Sequence, residues 1–386
     1  LLPLRSGSAV ARAYQPMVDD AWVETFDRLR QTTPPQAIVN VWWDYGYWAQ
    51  YYAERPVSAD GATLLTHVPH WLARAQTAAS EAELLGLLRM LDCASEAMPL
   101  PEGKRGALGQ LVEHGLGELA AYNTVVTLAS LDRTAADAHL AGLGLDPAAR
   151  AAVLAATHCE PPPAHLVLSS AQANMSGWWH LGRWDPNRAY LAHGLAKGDK
   201  AAALAALTGE LGYPPDEAAR LYETARALQS DAERNLFASP PQLLLTAAWV
   251  PCAAVEDGQR RCTLNLRDRR GATVVDVHYP ASDPLRARLN VTHPGAAQPT
   301  ETAPGLLLVA GADDLQRAPR LSTADPERAV LIDARQHRAL VGTLGAIDSL
   351  YTRLMFLDGL GVSRLHKVDD RKSPRGERVV TWSIDW

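Results

Sequence analysis

No apolar run in this sequence approaches the roughly 20 residues that cross a bilayer. The longest, LLLTAAWVPCAAV from Leu243 and GLLLVAG from Gly305, fall well short, so none of the 386 residues is expected to span a membrane. An excess of positive charge is missing too: Lys+Arg 37 against Asp+Glu 43 leaves a formal charge of −6. That balance carries no footprint for nucleic acid. The four cysteines, Cys93, Cys159, Cys252 and Cys262, form no C-x-x-C pair. Cys252 and Cys262 can bridge two neighbouring strands in an oxidising compartment, and buried free thiols fit the count equally well. The chain opens on Leu1 with neither an initiator Met nor a basic stretch leading into a signal-peptide core, as an excised fragment or a processed product would.

Familiar catalytic signatures are also absent: G-x-G-x-x-G after a strand, G-x-x-x-x-G-K-S/T, H-E-x-x-H and G-x-S-x-G. The histidine groupings His67/His70 and His180/His193 have no carboxylate or cysteine at a metal-binding spacing and read as structural. Asp313/Asp314 and Asp369/Asp370 fall in loop-like sequence and read as solvated, not as a general acid and base.

What is present is long enough for two or more packed units. Asp19 and Asp20 precede Trp22, Phe26 and Leu29, the spacing of a short amphipathic helix. AIVNVWW then reads as a buried strand that stops at Asp44, with a strand-to-helix junction near 43–45. Two helices follow in VPHWLARAQTAASEAELLGLLRMLDCA, and another pair over 104–130 and 133–157, the latter rich in Ala and interrupted near Gly142, Gly144 and Pro147. HLVLSS is a strand after the prolines at 161–163. Residues 187–240 read as a helical insertion, and from 243 LLLTAAWV, RRCTLNLRD, ATVVDVHY, ARLNVTH and GLLLVAG form short strands. A helix over 346–358 and a terminal hairpin with SPRG as its turn close the chain. The fold class is therefore α/β in the mixed α+β sense. It comprises a mainly helical core unit at 1–186, the insertion at 187–240, a β-rich unit at 241–327, and a strand-helix-hairpin segment at 328–386 packing on the core.

One compact cluster stands apart. VWWDYG places Trp42, Trp43 and Asp44 at the end of the predicted strand, followed by Tyr45 and Gly46. A purely structural reading has the two indoles fill the end of the sheet while Asp44 accepts hydrogen bonds from the amides of the next turn. A functional reading makes Asp44 an acceptor for a ligand hydroxyl, with indole N–H groups donating beside it. The two are compatible.

WWDYG at 42–46 resembles the signature of the catalytic subunit of N-linked oligosaccharyltransferases, membrane enzymes that move a lipid-linked oligosaccharide onto Asn of Asn-x-Ser/Thr. YGYWAQYYAERPVSADGA (45–62) resembles the bacterial form, and AHLVLSSAQANMSGWW (164–179) resembles a second element of Met, two residues, then Ile. RAVLIDARQHRALVGTLGAIDSLYTRLMFLDG (328–359) is similar to the bacterial enzymes near their end. The resemblance implies that Trp42, Trp43 and Asp44 hold the hydroxyl of the Ser or Thr two residues after the acceptor Asn. Met175 would pack on the sequon, and Trp178 stands where the family has Ile. It implies that this chain is the soluble C-terminal domain on the periplasmic or equivalent exterior face, inactive alone. The chain itself would need no cofactor. Mg2+ or Mn2+, the lipid-pyrophosphate-linked oligosaccharide and the activating carboxylates would belong to a transmembrane domain outside it. Competing readings are an aromatic-rich carbohydrate-binding module, a glycosidase and a structural interaction domain. The internal strings Asn174-Met-Ser and Asn290-Val-Thr have Gln172 and Arg288 two residues before the Asn, so they read as chance.

Overall fold

The structure, a computed structural model, describes residues 17–93, 106–241, 243–245, 248–268, 271–319, 324–374 and 376–386. The Asp19 carboxylate accepts from the Ala21 amide at 3.2 Å and starts α1 (Asp20–Thr32), which buries Trp22, Phe26 and Leu29 on one face. β1 (Ile38–Asn40) runs for three residues. A 3-10 turn, Trp43–Tyr45, then leads into α2 (Gly46–Ala53). The expected helix pair is α3 (Val68–Thr77) and α4 (Glu81–Asp92), with Leu84, Leu87, Leu88 and Leu91 all buried.

The second expected pair comprises four shorter helices, α5 (Ala107–Glu113), α6 (Glu118–Ala129), α7 (Arg133–Gly142) and α8 (Pro147–Thr157), with the expected interruption at 142–147 and a further one at 114–117. Gly115 at φ 95° and Gly144 at φ 82° turn the chain left-handed at two of the breaks, while the Asp132 and Asp146 carboxylates cap the starts of α7 and α8. The beginning of that stretch, 104–105, lies outside the described residues. β2 (Ala164–Ser169) and α9 (Ser176–Arg183) complete this part.

Beyond it, α10 (Pro186–His193), α11 (Lys200–Ala205), α12 (Pro215–Ala227) and α13 (Asp231–Ala238) form the helical excursion. These helices enclose a separate small core around Leu191, Leu207 and Tyr222.

The terminal hairpin, β12 (Leu365–Lys372) and β13 (Arg378–Ile384), does more than pack on the core. It completes a four-stranded sheet of order β1-β2-β13-β12. β1 and β2 are parallel, with Asn40 beside Leu166, and Trp382 of β13 lies antiparallel to the same Leu166. Asp369 and Asp370 therefore sit in a strand, not a loop. Asp369 pairs with Arg371 at 3.0 Å, and Asp370 with Lys367 at 3.2 Å and Arg378 at 2.5 Å. Asp313 and Asp314 are exposed in a loop, as expected.

A second, nine-stranded sheet occupies the later chain. It contains β3 (Val250–Pro251), β4 (Ala253–Ala254), β5 (Gln259–Asp268), β6 (Gly271–Pro280), β7 (Arg288–Thr292), β8 (Thr300–Ala310), β9 (Leu315–Arg317), β10 (Ala324–Asp333) and β11 (Arg338–Gly342). The order β3-β11-β10-β8-β7-β6-β5-β4 puts β3 and β4 at opposite ends, yet only Cys252 separates them in sequence. The sheet must therefore curl until its ends meet, a near-closed barrel around Cys262, Val275, Val277, Leu289 and Ile332.

Three expectations change in this region. The boundary at 327/328 falls inside β10, because Val330–Asp333 continue the parallel ladder on β8. LLLTAAWV contributes strand only at Val250, plus a single bridge from Leu244 to Gly342, and its Thr246 and Ala247 lie outside the described residues. The helix over 346–358 is two, α14 (Leu344–Asp348) and α15 (Leu350–Phe356), parted where the extended Ser349 caps the second.

All four cysteines are oxidised, as Cys93–Cys159 and Cys252–Cys262. The free-thiol alternative is thereby replaced, and the first pair had no sequence signal. Among the described residues, no helix is long and apolar enough to cross a membrane.

Candidate functional site

The turn after β1 is built by contacts on both sides. Trp42 is buried at 4% exposure, and its ring lies 6.2 Å from the half-buried Trp43 at 57°. Tyr45 is buried and stacks on Trp22 of α1 at 3.8 Å and 16°. Gly46 opens α2 where a Cβ would stand 2.1 Å from the Ala59 carbonyl oxygen and 2.6 Å from the Asp60 Cα. These contacts leave Trp43 and Asp44 at the turn's outer side, each half-buried.

Burial raises the Asp44 pKa above the ordinary aspartate range, and the hydrogen bond its carboxylate accepts from the Trp42 side chain pulls the other way. Asp44 is not a cap: neither the 3-10 turn nor α2 has a side-chain hydrogen bond at its start. The adjoining aromatic helix face divides, with Trp48 exposed and stacked at 6.2 Å on the half-buried Tyr52.

The second element begins at the end of β2. Ser170–Asn174 form a 3-10 turn closed by Gln172, whose side-chain oxygen accepts from the Ser169 amide at 2.9 Å. Gln172 Nε2 donates to Gln76 Oε1 at 3.0 Å, and the same oxygen accepts from Trp178 Nε1 at 2.7 Å. Tyr351 donates its hydroxyl to the Ser169 carbonyl at 2.8 Å. Met175 follows, half-buried against the main core.

Trp178 points inward, at 1% exposure, with Trp179 and Tyr351 ring centroids 4.5 and 4.8 Å away. Gly182 lets α9 close onto α3, since a Cβ there would meet the Ala73 carbonyl oxygen at 2.7 Å. Gln76 and Tyr351 had no local sequence signal. Gln172 did, because Ser169 with Gln172 three residues on is a capping-box spacing.

Because β1 and β2 are parallel neighbours, the segments leaving their carboxyl ends emerge at one edge of the sheet. That is the edge where open α/β sheets place ligands. The arrangement brings Trp42, Trp43 and Asp44 to the same edge as Met175 and turns Trp178 away from it. Behind β1, Asn40 donates to the buried Asp92 at 3.0 Å, and burial pushes the Asp92 carboxyl up to about 8. Among the described residues, no three His, Cys, Asp or Glu stand where they could hold a metal ion. Asn174 is exposed on its turn, whereas Asn290 lies within β7.

Residues 35–91, from the approach to β1 through most of α4, match the family described as the STT3/PglB/AglB core domain. One curated relative is the dolichyl-phosphooligosaccharide-protein glycotransferase of Methanocaldococcus jannaschii, 26% identical over 173 residues. The match covers 44% of this chain and 18% of that protein, so the chain spans less than a fifth of the relative's length. Among solved structures, the crystal structure of the C. jejuni PglB C-terminal domain aligns over 94% of this chain and 99% of that one, with a TM-score of 0.42 and 8% identity.

Proposed function

We propose that this chain is the extracytoplasmic, acceptor-binding part of a membrane-bound oligosaccharyltransferase. One observation carries the reading: a half-buried carboxylate, Asp44, held by the Trp42 indole at the sheet edge where the Met175 turn also emerges. Asp44 accepts the hydroxyl of the Ser or Thr two residues after the acceptor Asn, and Trp43 flanks it. Met175 forms the apolar wall. Trp178, tied to Gln76, sets where that wall stands.

A peptide lacking the hydroxyl leaves the partly desolvated carboxylate without a partner, at a cost of about 1–3 kcal/mol. Packing one methyl on Met175 is worth about 0.8 kcal/mol, so hydroxyl recognition outranks Thr over Ser. The lipid-pyrophosphate-linked oligosaccharide, Mg2+ or Mn2+ and the carboxylates that activate the amide belong to a membrane domain outside this chain, and the chain alone transfers no glycan. The two disulfides favour an oxidising exterior such as the periplasm. A lectin-like platform is disfavoured because Trp22, Trp71, Trp178, Trp179 and Trp382 are fully buried.

The test measures acceptor binding by the full-length enzyme that contains this chain. Asn-Ala-Thr peptides should bind about tenfold or more tightly than peptides with 2-aminobutyrate in place of Thr. Asp44→Ala should erase that difference, while Met175→Ala should largely keep it. Equal binding of both peptides by the unaltered enzyme refutes the reading.

A further inference from the structure

A cavity of about 760 Å³ opens beside α9, walled by Trp71, Leu108, Leu119, Tyr122, Leu181 and Trp184. Hydrogen bonds and ring contacts lock its floor. Trp71 and Tyr122 stack at 4.9 Å and 21°. The Tyr122 oxygen accepts from Arg74 at 3.0 Å, and its hydroxyl lies 2.9 Å from His70 Nε2. His70 Nδ1 lies 2.7 Å from the Leu181 carbonyl, which can only accept. Nδ1 therefore carries the proton, and Nε2 accepts from Tyr122. Burial lowers the His70 pKa to about 4, so this floor offers a neutral ring to an occupant.

Two features are left over. Trp71 is completely buried, and its indole N–H has no hydrogen-bond partner among the described residues. Trp184 and Val112 at the rim are each 37% exposed, apolar surface that an occupant would cover. His70 and Tyr122 are already paired with each other, so an occupant is held by its apolar body against the rim. The volume suits one or two large side chains with their backbone.

Position supplies the rest. α9 starts immediately after Met175, so His180 and Trp184 lie about 8 and 14 Å along its axis at the usual helical rise. An extended peptide advances about 3.3 Å per residue, so the same reach is about two to four residues of acceptor.

We propose that this cavity takes a large apolar side chain of the acceptor polypeptide, about two to four residues from the Ser or Thr held at Asp44. The inference rests on the acceptor reading above and adds a second point of recognition to it.

Peptides carrying Asn-Ala-Thr, with Phe or Ala stepped through the flanking positions, test it on the full-length enzyme. Phe at one position two to four residues from the Thr should tighten binding about tenfold. Benzoylphenylalanine there should photo-crosslink to residues 108–122 and 180–184. Trp184→Ala and Leu119→Lys should each remove the gain and leave the Thr requirement intact. A Phe gain that survives both variants, crosslinks elsewhere, or no gain at any position overturns the cavity assignment and leaves the hydroxyl anchor standing. A gain that persists when the Thr requirement is absent refutes the anchor instead. Displacement of a dansyl-labelled polyprenol from the cavity, with no effect of peptide, assigns it to lipid and overturns the proposal.

Discussion

Gly46 is glycine for want of room. Its φ of −58° suits any residue, and what excludes a side chain is the 2.1 Å approach of the Ala59 carbonyl oxygen. The obstacle is backbone, so no rotamer relieves it. Gly46→Ala should lower stability by about 1–3 kcal/mol, the range for forcing a methyl into a packed site. It should also weaken acceptor binding by moving the turn that carries Asp44. Denaturant melts and peptide titration read the two effects separately, and a variant with unaltered stability contradicts the crowding argument.

Asp92 offers a second residue-scale test. Its proton is held to about pH 8 in the folded chain, against 3.8 for an ordinary aspartate. Between those values the unfolded chain binds fewer protons, so the Asp92 contribution to stability falls as pH rises and levels off above about pH 8. His70 acts oppositely, since its depressed pKa lowers stability as pH drops from 6.5 toward about 4. Above pH 6.5 the Asp92 effect can therefore be read apart from His70. Asp92→Asn keeps an acceptor for Asn40, and its Tm should fall less than wild type between pH 6.5 and 8.5. Parallel Tm curves for the two proteins would rule the account out.

At the scale of elements, the disulfides differ in what they restrain. Cys93–Cys159 spans 66 residues, joining the end of α4 to the segment before β2, and Cys252–Cys262 spans 10. Loop-closure entropy gives about 4 kcal/mol for the first and about 3 kcal/mol for the second. The Cys93→Ser/Cys159→Ser pair of substitutions should therefore lower Tm more than Cys252→Ser/Cys262→Ser, in scans without reductant. The reverse order would mean that barrel closure depends on its short bridge more than chain entropy allows.

The elements also show which information was local. The junction at 43–45, the helix pair before Cys93 and the alternating strands β5 to β8 follow periods of 3.6 or 2 and could be read directly. The interruption near Gly144 was legible in the sequence, whereas the break at Gly115 inside the first of the two segments was not. The 66-residue disulfide and the register of β13 on β2 are long-range pairings that no window contains. In the site, the cap reading of Asp44 gives way to a hydrogen bond from the Trp42 side chain, a pairing that residue spacing alone does not specify. SGWWHLGR could not say that both tryptophans face inward, because Gly182 closes α9 onto α3 and seals that face.

Taken whole, the molecule has a large core under the four-stranded sheet, a barrel core and a small helical one. The terminal hairpin is the counterintuitive part. β13 lies between β2 and β12, more than 200 residues after β2 in sequence, so the sheet bearing the candidate site waits for residues 378–384 before it can close.

Strand placement has one more consequence, for how an unfolded client is handled. The barrel's ends are two-residue strands joined through Cys252. The outer strand of the other sheet, β12, carries Asp369 and Arg371, which are tied to Arg28 and Glu24 of α1. β1 is bridged by Val57 at Val39. An extended polypeptide passing over the described residues thus meets charged or already occupied strand borders instead of a bare backbone ladder. On the proposed acceptor-binding reading, a client would be gripped by its side chains alone and let go without having to peel off a β-strand.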